Sequence, residues 1–424
     1  VVQVYIVDCA QYDPRTIETG IRTAAEALGV TLPQDQAVLI HPACPWAHPR
    51  FAPNAFTHPD VIEGTVLALA GNTLTVATNS LPGFPTRYSY RKAGYVDLAQ
   101  RLGVKLVAID ETSTQTVQLR QNAVVDKEVA LPKIALQADF RVALPKLTGS
   151  TFVSFAGAIR HHQSLLQDDA QIREHHRLHT KMVDLLEAAP PDLIIVDAIT
   201  ATHKGGELSG QPVDLGMLII GTNPVAVDAV CAVAYGFAPA DVRYLQLAAE
   251  RGYGPIDPAQ IQVSGDLTLE SVKERAKQVE HVDPYPENYP LPPQVKVMRS
   301  DKSGLAGTSG GLTEVFLTLE HAGFKLKKAR ESVIVIGQVD HVPPGKSEEA
   351  TIIFLDDTAR AEYQGYSRVV RLRGRYVPLS ALLNDLPYAM KVATPRSELG
   401  GEMIAATFLS KVVRLISRLT GGAG

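Results

Sequence analysis

Six of the twelve histidines, His161, His162, His175, His176, His179 and His203, fall within one short span of the chain. Neutral imidazole ligates zinc, iron or nickel, and residues three or four apart on a helix face one another. His175, His179 and His161 are therefore candidate ligands for a divalent metal. The same rings, protonated, would attract an anion instead. The plainer reading makes His175 and His176 boundary residues and His179 a hydrogen-bonded histidine of the core.

Around this span stand groups suited to holding a small anion. Lys146 follows an apolar run and is succeeded by Thr148 and Ser150, a charge with hydroxyl donors at the end of a strand. Arg160 adds a guanidinium, and Lys204 follows His203 in a loop with Gly205 and Gly206, where backbone amides can approach a ligand. Asp197 closes the preceding apolar run, and Asp228 lies one turn inside a helix. In this picture Lys146, Thr148, Arg160, Lys204 and Asp228 bind the ligand. His179 and His203 carry protons, with Asp197 orienting a histidine. Asp228 can equally serve its own helix by accepting backbone donors. No Walker A loop, HExxH helix or dinucleotide GxGxxG motif is present.

The elements that must position these groups are read from periodicity. Leu193–Val196 and Leu218–Gly221 are short continuous apolar runs, as expected of strands covered on both faces. Asn223-Pro224 predicts a helix start, with asparagine as the cap and proline at the first helical position. Further strands are expected at Val1–Val7, Ala37–Ile40, Thr73–Thr78, Val104–Ile109 and Phe140–Leu144, and helices at Pro14–Leu28, Asp60–Ala70 and Tyr88–Leu102. Gln163–Ala189 reads as one helix with Ile172, His175, His176, His179, Met182, Val183 and Leu186 on a single face. Strands alternating with helices give an α/β fold, a doubly wound and mostly parallel sheet with a second, smaller α/β domain. In parallel sheets ligands sit beyond the carboxyl ends of strands, which places the site.

Domain limits are expected at 1–282, a Pro-rich linker at 283–294, a small domain at 295–400 and an amphipathic helix at 401–424. In that last helix Ile404, Phe408, Val412, Leu415, Ile416 and Leu419 form the apolar side, opposite Lys411, Arg414 and Arg418. It suits docking on the body, a homo-oligomer, a protein partner or a membrane surface. With 45% hydrophobic and 20% charged residues and a net charge of −4, the composition is that of a globular protein and speaks against nucleic-acid binding. The apolar runs are too short for a transmembrane segment, and no signal peptide is expected. Cys9, Cys44 and Cys231 fit no metal spacing and read as reduced thiols of a cytoplasmic protein.

The run GTNPVAVDAVCAVAYGF (Gly221–Phe237), with Tyr244-Leu245, ERGYG (Glu250–Gly254), ADFRVALPKL (Ala138–Leu147) and PDLIIVDAI (Pro191–Ile199), resembles the domain of unknown function 362 family over roughly residues 36 to 266. The resemblance implies a family whose activity is not generally established. Many relatives carry iron–sulfur cysteines in the C-terminal region. Here no cysteine follows Cys231, and Asp356-Asp357 stands near one such position, so no iron–sulfur cluster is expected. Relatives often show PKLKTH where this chain has Pro145-Lys146-Leu147-Thr148-Gly149, and a glutamate where His203 stands. Arg160 fills a family lysine position and His161 an asparagine position, while His179 matches a family histidine. Two readings follow. One is a diverged enzyme binding a small anionic ligand or a divalent metal at the strand ends. The other is a non-catalytic scaffold or complex subunit that has lost the redox cofactors and assembles through its C-terminal region.

Overall fold

The computed structural model describes residues 1–120, 123–300, 304–392 and 400–419, the last stretch with side chains from 405 to 414. Chain order is β1 (Val2–Asp8), α1 (Pro14–Ala27), β2 (Ala37–Pro42), α2 (Pro59–Ala68), β3 (Thr73–Thr78), α3 (Thr86–Lys92), α4 (Tyr95–Leu102) and β4 (Lys105–Ala108). A hairpin of β5 (Thr114–Gln118) and β6 (Glu128–Pro132) follows, then α5 (Lys133–Gln137) and β7 (Phe140–Leu144). The two-residue strands β8 (Thr148–Gly149) and β9 (Phe155–Ala156) pair and lead into α6 (Ala158–His162), α7 (Asp168–Ile172) and α8 (Leu178–Asp184). β10 (Leu193–His203) and β11 (Gln211–Gly221) form a long hairpin before α9 (Pro224–Ala234), α10 (Arg243–Glu250), β12 (Ile261–Gly265) and α11 (Leu269–Ala276). The remainder comprises β13 (Val295–Arg299), α12 (Gly310–His321), β14 (Ser332–His341), β15 (Thr351–Glu362), β16 (Arg368–Leu372), α13 (Leu379–Ala389) and α14 (Gly400–Leu419).

The fold is α/β, as expected. The main sheet has the order β12-β1-β11-β10-β7-β2-β3-β4, and β11 alone runs against the other seven strands. A second, wholly parallel sheet has the order β13-β14-β15-β16. Alternation along β10 divides the core: Ile194, Val196 and Ala198 pack with α8, α9 and α10, while Leu193, Ile195 and Ile199 pack with α1, α2 and α4. The first of these clusters continues through Phe316 of α12 to Ile334 and Ile353 of the second sheet. Apolar burial thus ties the two sheets together along that face.

Three expected elements differ. The helix read at Tyr88–Leu102 is broken into α3 and α4 by Gly94, whose φ of +78° suits a residue without a Cβ. The second strand read at Leu218–Gly221 is the end of an eleven-residue strand antiparallel to its neighbours, so the polar stretch before it is a hairpin turn. Gln163–Ala189 is not one helix but α7, α8 and single turns, interrupted at Glu174 with φ +54°. The cause is Lys181. Its fully buried ammonium donates to the carbonyls of Ala170, Gln171 and Arg173, which a continuous helix would have bonded internally.

Candidate functional site

Lys146 follows β7 and forms an isolated parallel bridge with Asp197 of β10, which aligns their side chains beyond the end of β7. Lys146 Nζ lies 2.9 Å from Asp197 Oδ2, and both residues are buried, Asp197 completely. Tyr12, in the loop after β1, donates to Asp197 Oδ1 at 2.9 Å and accepts from Lys146 Nζ at 2.8 Å. The backbone N–H of His58 donates to Asp197 Oδ2 at 3.0 Å, so the carboxylate meets an ammonium, a phenol and an amide. The His58 ring stacks on Tyr12 with centroids 3.8 Å apart. Its Nδ1 caps α2 by accepting from the Asp60 amide at 3.2 Å, leaving Nε2 as the protonated nitrogen of the neutral ring. Burial, reinforced by Asp197, pushes the Tyr12 phenol well above its ordinary pKa and keeps it protonated. Burial also lowers His58, against the opposing pull of Asp60 and Asp197.

On the inner side of Lys146 is a cavity of about 50 Å³ lined by Lys146, Thr148, Arg160, His161, Ser164 and Glu207 among others. That is room for roughly three or four waters, or a ligand of similar bulk. Arg160 grips Glu207 through two bonds, Nε to Oε1 at 2.9 Å and Nη2 to Oε2 at 3.1 Å, and donates to Gln163 Oε1 at 2.6 Å. Glu207 also accepts from Ser150 Oγ at 3.2 Å. His161 Nε2 donates to the His41 carbonyl at 2.9 Å, and Ser164 Oγ lies 2.8 Å from His41 Nε2. Burial drives His161 down to about 3, so its ring is neutral and cannot supply positive charge.

The turn carrying Glu207 is clamped from the second sheet's side. Glu314 of α12 accepts from the amides of Leu208 and Ser209, each at 2.8 Å. A Cβ on Gly206 would come within 1.7 Å of Glu314 Oε2, so this contact requires glycine. Burial first, then the nearby Glu207, raise the Glu314 carboxyl to about 7 against the two amides.

Lys146, Thr148 and Arg160, of the expected ligand set, and His161, of the expected metal set, thus line one cavity, and Asp197 adjoins them. It holds a lysine rather than a histidine. The other candidates lie elsewhere. Asp228 accepts from the amides of Ala158 at 2.6 Å and Ile159 at 3.0 Å and so caps α6; it positions Arg160 through that helix and lines no part of the cavity. His203 accepts from the Glu280 amide at 3.2 Å, and Lys204 pairs with Glu280 at 2.7 Å, both at the periphery. The carboxylate facing the cavity comes from Glu207, at the other end of that turn.

The proposed metal ligands do not meet. His175 Nδ1 donates to the Ala306 carbonyl at 2.6 Å, with its ring stacked on Tyr376 at 3.8 Å. His179 lies against Tyr244, its ring pushed down to about 4 by burial and then by Arg243. The interruption at Glu174 removes the shared helix face on which that expectation stood. Among the described residues no three His, Cys, Asp or Glu side chains are grouped to hold a metal.

Tyr12, His58, Glu207 and Glu314 escaped the sequence reading. His58 lies in the loop HPACPWAHPRFAPNAFTHPD, whose three histidines were a visible signal; Tyr12 carries none. Among the described residues no helix is long and apolar enough to cross a membrane.

A family model described as a domain of unknown function, DUF362, matches residues 38–233. No curated protein matches the chain. Among solved structures, the lactate racemase apoprotein from Thermoanaerobacterium thermosaccharolyticum aligns with a TM-score of 0.35 at 12% identity, over 55% of this chain and 57% of that one. A structural-genomics protein from Thermotoga maritima aligns with a TM-score of 0.30 at 10% identity, over 78% of this chain and 72% of its own.

Proposed function

We propose, for a chain whose residues 38–233 match the DUF362 family model, the binding of a small monocarboxylate, or a neutral molecule of like size with an oxygen acceptor, in the cavity between Lys146 and Arg160. The observation that carries this reading is the convergence of Lys146, Thr148 and Arg160 on one polar cavity beside the strand ends. An ammonium has three donors and a guanidinium five. Lys146 spends donors on Asp197 and Tyr12, and Arg160 on Glu207 and Gln163. Each cation therefore keeps hydrogen-bonding capacity for a ligand. Asp197 and Glu207 already balance the two charges, which disfavours a dianion such as phosphate. In this reading Tyr12, bonded to Lys146 and partly exposed, links the cavity to solvent for proton exchange.

Thr148→Val tests the site with little change of volume. Short-chain monocarboxylates titrated by calorimetry into the wild type should bind, and inorganic phosphate should bind more weakly. The variant should lose about five- to tenfold in carboxylate affinity, the worth of one hydrogen bond. A wild type indifferent to every carboxylate would sink the reading. That outcome favours the second one, a non-catalytic scaffold, for which the prior pairing of both cations with carboxylates already speaks.

A further inference from the structure

Helix α14 docks on the body by its polar side. Arg414 pairs with Asp110 and, at 3.3 Å, with Asp168, while Ser410 Oγ bonds Asp110 at 3.3 Å and Ala406 is buried in line with them. These residues recur every four positions and define the body-facing side. Phe408 and Val412 point away from it, 70% and 36% exposed, with Lys411 among them, and Leu409, 49% exposed, stands at the edge between the two sides. The sequence expectation that this helix could pack its apolar side on the body is thus reversed in the described part. Ile404, Leu415, Ile416, Leu419 and Arg418 belong to the same expected pattern and lie outside the described side chains. Such a face has an unfavourable exposure to water that a partner would relieve.

The apolar band borders a groove of about 1080 Å³ between α14 and β4, whose lining includes Leu409, Val413, Leu106 and Ile134. Arg91, Lys105 and Lys133 also line this groove, and among the described residues none of the three is engaged in an ion pair. Together with Lys411 they make the surroundings of the band basic. A second copy pairing about a two-fold axis would bring the same cations against one another, a like-charge contact that opposes association. An anionic lipid surface satisfies both features, accepting the apolar side chains below its headgroups and the cations among them.

We propose that α14 seats this protein on anionic membranes through Phe408, Leu409 and Val412, with Lys411, Arg91, Lys105 and Lys133 facing the headgroups. The helix lies in the interface plane and does not span. The full chain is mixed with vesicles of equal parts phosphatidylcholine and phosphatidylglycerol, or of phosphatidylcholine alone, and sedimented. Binding is expected to the anionic vesicles, weakening as salt screens the charges. The double substitution Phe408→Ser and Val412→Ser should lower the partition coefficient by about tenfold or more, and Lys411→Glu should lower it on anionic vesicles only. All three side chains are exposed, so unfolding temperatures should match the wild type. Failure of the wild type to sediment with anionic vesicles overturns the proposal. So does sedimentation velocity showing a dimer that the double substitution dissociates, which would make the face a protein interface.

Discussion

Asp197→Ala is expected to lower stability by about 3–5 kcal/mol, because it strands the Lys146 ammonium inside the protein without its counter-charge. The lost partner accepts from Lys146 at 2.9 Å, from Tyr12 at 2.9 Å and from the His58 amide at 3.0 Å, and it is fully buried. Solvent cannot readily replace it. The alanine leaves the ammonium bonded only to the Tyr12 oxygen, while Tyr12 and the His58 amide each lose an acceptor. Combining Asp197→Leu with Lys146→Met should recover most of the loss, since an apolar pair of similar bulk has no charge to desolvate. Urea denaturation of the wild type, Asp197→Leu, Lys146→Met and the double variant closes the cycle. A single-substitution loss below about 1 kcal/mol would place the pair in the range of solvated surface bridges and contradict the buried site. The double variant carries a second consequence. It should fold yet bind no monocarboxylate, separating the role of Lys146 in the ligand site from its role in holding β7 and β10 in register.

The sheet was legible because its signal is local. Apolar runs marked Val142–Leu144 and Leu193–Val196, and Asn223 caps α9 as read, accepting from the amides of Val225 and Ala226 at 3.0 Å each. Lys146 and Thr148 were legible for the same reason, as polar residues placed just after a buried run, whereas Arg160 was marked by the family resemblance. Tyr12 was not. Its partner Asp197 is 185 positions away, and nothing in its own neighbourhood announces the contact. Glu314 reaches Leu208 across 106 positions, and only the folded chain shows that the Gly206 turn is shaped around its carboxylate. The histidine cluster misled because periodicity cannot see Lys181. The spacing of Met182, Val183 and Leu186 is helical and buried, but a lysine that takes three backbone carbonyls breaks the helix upstream of it and separates His175 from His179.

That same turn sets a pH dependence opposite in sign to ordinary acid denaturation. Burial holds the Glu314 carboxyl near 7, above its usual 4.5, and holds Asp228 near 7, above 3.8. Both folded-state values are raised, so between about pH 4 and 7 the native protein binds protons that the unfolded chain has released. The stabilisation from these two groups is complete below their unfolded values and is lost as pH rises through 7. Above that both states are ionised and the penalty is constant. Each shift corresponds to a loss on the order of 3 kcal/mol. Glu314→Gln keeps a carbonyl oxygen for the Leu208 and Ser209 amides but has nothing to ionise. Its denaturation free energy, measured from pH 5 to pH 8, should fall only about half as far as that of the wild type, the remainder belonging to Asp228. Ionised Glu314 also sets a second negative charge near Glu207 in the turn that faces Arg160. Carboxylate binding should therefore weaken above pH 7 in the wild type and stay level in Glu314→Gln. Parallel stability curves for the two proteins would show that Glu314 is ionised throughout, and that the turn is held by charge rather than by a buried acid.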